Sequence, residues 1–245
     1  MQRRFAKCVY ENCYDPRYSE IVFGIDEDDQ IALDVAEELK RQYGEDFIRV
    51  CTITPGENLP NISNICAREV ARGQIYGNAA DDVVFRSKNW DVVVLQEFEK
   101  YDDKILLLWS DDGNWGGSLA SHYFVSKNWV RALGHIQPTH FHADWTDHWN
   151  QRLANRVGRA KVILNRERLF LQHLHAEHGG MEKDETYWKV KEKREAFNKK
   201  VRAINEKARA NNPTIAKFKQ AEERRQIRLA KVNKMNPNSP KAKRI

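Results

Sequence analysis

Three short apolar runs in this sequence each end in neighbouring carboxylates, and that recurrence constrains the fold more than any other feature. Glu20-Ile21-Val22-Phe23-Gly24-Ile25 leads into Asp26-Glu27-Asp28-Asp29, Ile75-Tyr76-Gly77-Asn78-Ala79-Ala80 into Asp81-Asp82, and Lys104–Trp109 into Ser110-Asp111-Asp112. Apolar runs of this length between turn signals read as buried strands. Helical patterns lie between them. Ile31, Val35, Ala36 and Leu39 share one face of a helix from Ile31 to Tyr43 that Gly44 ends, Phe47–Ile53 reads as a further strand, and Asn61 or Ser63 can cap a helix reaching Arg72. Such alternation predicts an α/β fold with a mostly parallel central sheet flanked by helices. Open sheets of that kind bind ligands beyond the carboxyl ends of their strands, where these acids would stand.

Downstream, Ser87 or Asn89 can cap a helix carrying Trp90, Val93, Val94 and Phe98, Ala120–Val125 reads as a strand, and Lys127–Leu133 reads as a short helix. The densest chemistry follows, with His140, His142, Asp144, Asp147 and His148 crowded between Thr139 and Trp149. Asp147 has a second reading as the cap of a helix from Trp149 to Val157. The apolar segment from Leu169 ends in His173-Leu174-His175, and strand alternation would put both histidines on one face. Two adjacent acids after the small residues Gly77, Ala79 and Ala80 suit a metal site that a bulky ligand can approach, although an Asp-Asp pair on its own more often begins a surface turn. Carboxylate oxygens with open positions fit Mg²⁺ or Mn²⁺.

The charge distribution separates two parts of the chain. Of 41 Lys+Arg and 35 Asp+Glu, 19 and 5 lie from Trp188 onward, leaving 22 and 30 before it. The expected organisation is an acidic globular domain over 1–187, a basic helical extension over 188–235 in which Val190, Phe197, Val201 and Ile204 are too sparse for a core, and a disordered tail over 236–245. A basic extension is a contact surface for nucleic acid or simply a solvated helical face. Cys8, Cys13, Cys51 and Cys66 lack metal-ligand spacing and read as reduced, buried thiols. No run of about 18 apolar residues exists to span a membrane, and Met1-Gln2-Arg3-Arg4 opens no apolar signal segment, so a cytoplasmic protein is expected.

Val22-Phe23-Gly24-Ile25-Asp26-Glu27-Asp28-Asp29, Tyr76-Gly77-Asn78-Ala79-Ala80-Asp81-Asp82, Lys88-Asn89-Trp90-Asp91 and His173-Leu174-His175, in that order, resemble nucleotide-sugar glycosyltransferases of the GT-A fold. The likeness is to the small glycosyltransferase-like proteins of bacteriophages, and it covers roughly Arg3 to Tyr187. GT-A enzymes usually open with a β-strand ahead of their first helix, whereas this sequence opens in the region matching that helix. The resemblance implies a GT-A-like, Rossmann-like sheet and a hexosyl- or pentosyltransferase in the host cytoplasm. Asp82 would grip Mn²⁺ or Mg²⁺ with Asp81 beside it, and His173 or His175 would complete the metal shell. Asp26 or Asp28 would read the base of the nucleotide-sugar donor, a UDP-sugar in the first instance, with Asn78 and Asp81 also on the donor side. Asp144 and Asp147 match the region of the acceptor-side base. The acceptor it suggests is a hydroxymethylated pyrimidine in phage DNA, tracked by the basic extension and stacked on Phe141, Trp145 or Trp149. Two rivals are a non-catalytic nucleic-acid or partner-binding protein on a degenerate scaffold, and a metal-dependent nuclease or phosphohydrolase.

Overall fold

Helix α1 (Gln2–Asn12) turns Phe5, Ala6, Cys8 and Val9 inward, a spacing of three to four residues that makes one apolar stripe. The computed structural model describes residues 1–141 and 145–174, together with Trp188, Lys191, Glu192, Glu195, Ala196, Lys199, Lys200 and Ala203. It divides the chain into two units, Met1–Tyr187 and Trp188–Ile245. In the second, the eight described positions are helical; the remainder of the expected extension and tail lies outside the described residues.

Strands β1 (Ile21–Asp26) and β2 (Ile48–Ile53) pair in parallel, Ile21 opposite Ile48 and Asp26 opposite Ile53. Helix α2 (Gln30–Tyr43) makes the crossover that a parallel pair requires. The Asp29 carboxylate accepts from Ala32 N at 3.0 Å to cap it, and Gly44 stops it at φ +94°. Ala36 and Leu39 are its buried residues, whereas Ile31, expected on the same face, is 80 % exposed. Asn58, rather than Asn61 or Ser63, caps α3 (Leu59–Ile65) by accepting from Asn61 N at 2.9 Å. A π-helical turn over Cys66–Val70 follows.

The second sheet runs β3 (Ile75–Asn78), β6 (Tyr123–Ser126), β5 (Leu107–Ser110), β7 (Ala160–Ile163). Only its β5–β7 pair is parallel. A third pairing, antiparallel, joins β4 (Val83–Phe85) to β8 (Leu171–His173). Among the described strands, two of five pairings are therefore parallel. The fold is mixed α/β, and the mostly parallel sheet expected from helix–strand alternation is corrected. The cause is that β6 inserts antiparallel between β3 and β5, a long-range choice that local periodicity does not encode.

The sheet is buried on both faces. Leu106, Leu108 and Phe124 join the core under α1, α2, β1 and β4, while Leu107, Trp109, Tyr123 and Val125 point the other way. On that second side stand α5 (Lys127–Leu133), capped by Ser126 Oγ, and α6 (Thr146–Arg156). Helix α4 (Trp90–Glu99) sends Val94 and Phe98 into the first core; it starts from Asn89 at φ +55° without a side-chain cap, and the Ser87 hydroxyl donates to Arg166 O at 2.8 Å. All four cysteines are free and buried. Among the described residues, no helix is long and apolar enough to cross a membrane.

Candidate metal centre

The β4–β8 ladder sets the register of the site. With Val83 opposite His173, Leu174 N donates to Asp82 O at 3.0 Å, and the last residue of β8 comes beside the second acid of the pair. His173 Nε2 lies 3.2 Å from Asp82 Oδ2, with the two side chains 13 % and 20 % exposed. Asp82 and His173 thus meet across 91 residues of sequence. His122, just before β6, completes the group. One potential ligand atom from each of Asp82, His122 and His173 falls within 4.8 Å of the other two. The imidazoles of His122 and His173 meet edge to face, 4.5 Å between ring centroids.

Asp112 braces the wall behind them. Its backbone carbonyl accepts from His173 N at 2.9 Å, Oδ1 accepts from Asn114 N and Trp115 N, and Oδ2 accepts from Ser121 Oγ at 2.6 Å, next to His122. Asn114 Nδ2 in turn donates to His173 O at 2.9 Å. Asp111 is held by Arg166 at 2.7 Å. The acids that end β5 therefore organise the loop rather than face a ligand.

Burial drives the His122 pKa down to about 4, reinforced by His173 and opposed by Asp82, Asp112 and a hydrogen bond with the Asn78 backbone. His122 is 8 % exposed, and among the described residues no side chain hydrogen-bonds either ring nitrogen, the Asn78 backbone alone reaching the ring. A buried, neutral imidazole with a nitrogen to spare is a costly structural residue and a ready ligand. With one carboxylate and a second imidazole alongside, the residues present fit a divalent cation.

Asp81 faces elsewhere. With Asp26, Asp29, Gly24, Ile31 and Arg3 it lines a cavity of about 580 Å³ at the carboxyl end of β1. Burial raises the Asp81 pKa against the opposing pull of the Met1 amino group, and the neighbouring Asp82 charge adds to the rise. Asp28 is exposed and does not line this cavity. The Asn78 side chain, expected on the donor side, is committed internally, its Oδ1 accepting from Gln137 Nε2 at 2.6 Å and Ser63 Oγ at 3.2 Å. Gly77 serves packing, since a Cβ there would sit 3.0 Å from the Phe124 ring.

Helix α6 begins at Thr146, so Asp147 lies in its first turn and is not the cap. Its carboxylate accepts from His148 N at 2.7 Å and lies 3.0 Å from His148 Nδ1. Exposed Trp145, at φ +78°, and Trp149 flank it, and Phe141 lies 5.9 Å from Trp149 between ring centroids. His142, Asp144 and His175 lie outside the described residues. His122 escaped the sequence reading because Ala120–Val125 carries an ordinary strand pattern; only the position before β6 marks it. Compared with known protein families, curated proteins and solved structures, the chain finds no match.

Proposed function

We propose that this protein is a metal-dependent glycosyltransferase, built on a GT-A-like scaffold, that moves a sugar from a nucleotide-diphosphate sugar to an acceptor hydroxyl. The observation that carries the reading is the division of labour between two adjacent acids. Asp82 joins the two imidazoles while Asp81 lines the open cavity shared with Asp26, so a cation site and a cleft carrying carboxylates are joined by one peptide bond. Asp82, His122 and His173 would hold Mn²⁺ or a similar ion, whose chemistry when bound is Lewis-acid stabilisation of charge developing on the leaving diphosphate.

The other roles belong to this chain's side chains. Carboxylates accept but do not donate, so Asp26 and Asp81 suit the ribose hydroxyls and ring N–H of a nucleoside, with Ile31 and Val35 supplying apolar surface. Asp147 takes the proton of the incoming hydroxyl, oriented by its hydrogen bond from His148 N, a contribution typically of about 10²–10⁴-fold. The flanking aromatic faces favour a planar or sugar-bearing acceptor, and a hydroxymethylated pyrimidine in DNA accounts for them together with the basic extension.

The test is thermal unfolding of the full chain with a panel of UDP- and other nucleotide sugars, with and without Mn²⁺. A matching donor at about 100 times its Kd adds roughly 2.7 kcal/mol. Asp82→Ala is expected to abolish the metal-dependent part, and Asp26→Ala the donor-dependent part. Two imidazoles and a carboxylate also serve hydrolytic zinc sites. Cleavage of phosphate esters without any sugar donor would therefore replace the transferase by a phosphohydrolase, and neither binding nor cleavage would leave a non-catalytic binder.

A further inference from the structure

We propose that His122 is itself a metal ligand, and that the resulting pair of imidazoles makes the centre selective for a transition ion such as Zn²⁺, Mn²⁺ or Fe²⁺ over Mg²⁺. The inference deepens the transferase reading and rests on its metal centre. Magnesium prefers an all-oxygen shell and keeps much of its water, whereas imidazole nitrogen favours the borderline ions. A centre offering one carboxylate and two imidazoles, that of His122 buried, is thus poorly matched to Mg²⁺, however acidic its surroundings.

Geometry supports the assignment of His122 independently of donor preference. Two donors on one tetrahedral ion, each about 2.0–2.2 Å from it, stand roughly 3.3–3.6 Å apart. Asp82 Oδ2 and His173 Nε2 are already 3.2 Å apart, and a nitrogen of His122 is within 4.8 Å of the ligand atoms of both. Ser121, tied to Asp112 at 2.6 Å, fixes the backbone on one side of His122, and the Tyr123–Asn78 pairing of β6 with β3 fixes it on the other. The ring is therefore held in place by the backbone around it, with no side-chain hydrogen bond of its own among the described residues.

The experiment uses the full chain, stripped with a chelator and verified by elemental analysis. Zn²⁺, Mn²⁺ and Mg²⁺ are then titrated separately, with Co²⁺ as a spectroscopic reporter of nitrogen ligation. One equivalent of Zn²⁺ is expected to bind and raise the melting temperature, with Mg²⁺ displacing it only at more than about 100-fold excess. His122→Leu is expected to weaken Zn²⁺ binding by about 100-fold or more, beyond what the loss of an outer-shell partner costs. The metal-free variant is expected to melt no lower than the metal-free wild type, because a buried imidazole that no side chain satisfies is gone. A purely structural histidine would give the reverse, a lower melting temperature and unchanged binding. If His122→Leu does not fold, His122→Gln is measured for the same loss of affinity and altered Co²⁺ spectrum. Binding by the folded variant within about 3-fold of wild type, or equal affinity for Mg²⁺, overturns the proposal. Tight Zn²⁺ binding without any response to nucleotide sugars overturns only the transferase; no metal binding overturns both.

Discussion

At the level of single residues, what decided a role was the surroundings a side chain met and not its chemical type. Asp112 and Asp82 both follow apolar strand-like runs, yet one organises a loop and the other faces two imidazoles. Asp112→Ala is expected to destabilise the protein by about 1–3 kcal/mol, since Asn114 N, Trp115 N and Ser121 Oγ lose their acceptor, and to weaken metal binding through the freed loop. Urea unfolding and a Zn²⁺ titration on the same variant check both effects; stability lost with affinity unchanged would uncouple the loop from the centre. Gly24 makes a similar point about space. A Cβ there would lie 2.5 Å from Ile62 Cγ2 and 3.0 Å from Cys66 Sγ, so Gly24→Ala is expected to cost about 1–3 kcal/mol in overpacking, measured by the same unfolding. Asp82 and His173 were legible because each ends an apolar run. His122 was not, because nothing local distinguishes Ser121-His122-Tyr123 from any strand entrance.

Among elements, helices and strands were legible where periodicity and a stop signal agreed, as in α2, which Gly44 ends, although Asp29, read only as one of four acids after a strand, proves to be its cap. Their pairing was not, because register is set by partners tens of residues away. The junction of α4 with the segment before β8 shows how such partners are fixed. Glu97, 1 % exposed, meets Lys100 at 2.7 Å and Arg168 at 3.1 Å. Burial raises its pKa, but the hydrogen bonds from Lys100 and Arg168 outweigh that, and the net direction is downward. A carboxylate depressed in the folded state contributes stability above its unfolded pKa, near 4.3, and loses it as pH falls through the lower folded value. Glu97→Gln is therefore expected to be less stable than wild type at pH 7 and to converge with it at lower pH. Melting curves between pH 7 and pH 3 check this; a stability gap that persists unchanged across the range would remove the ion pairs from the account.

For the whole molecule, charge argues most about partners. The residues before Trp188 hold 22 basic and 30 acidic side chains and those from Trp188 hold 19 and 5, so the body and the extension oppose each other in sign although the chain as a whole is +6. An acidic body repels a phosphate backbone, and any affinity for DNA must come from the extension. Each phosphate neutralised by Lys or Arg steepens the fall of affinity with salt, by a log–log slope of about 0.9 for duplex DNA. The full chain is therefore expected to bind duplex DNA at low salt with a slope reporting several such contacts, and a chain ending at Tyr187 to lose that binding while keeping Zn²⁺ affinity, because Asp82, His122 and His173 all precede the cut. Fluorescence anisotropy across a salt series, with the metal titration repeated on the truncated chain, measures the two properties separately. If the truncated chain binds DNA as tightly as the full one, the aromatic faces around Asp147 become the sole contact and the extension has another partner. If it loses metal as well, the two units are coupled, and the metal centre depends on residues beyond Tyr187.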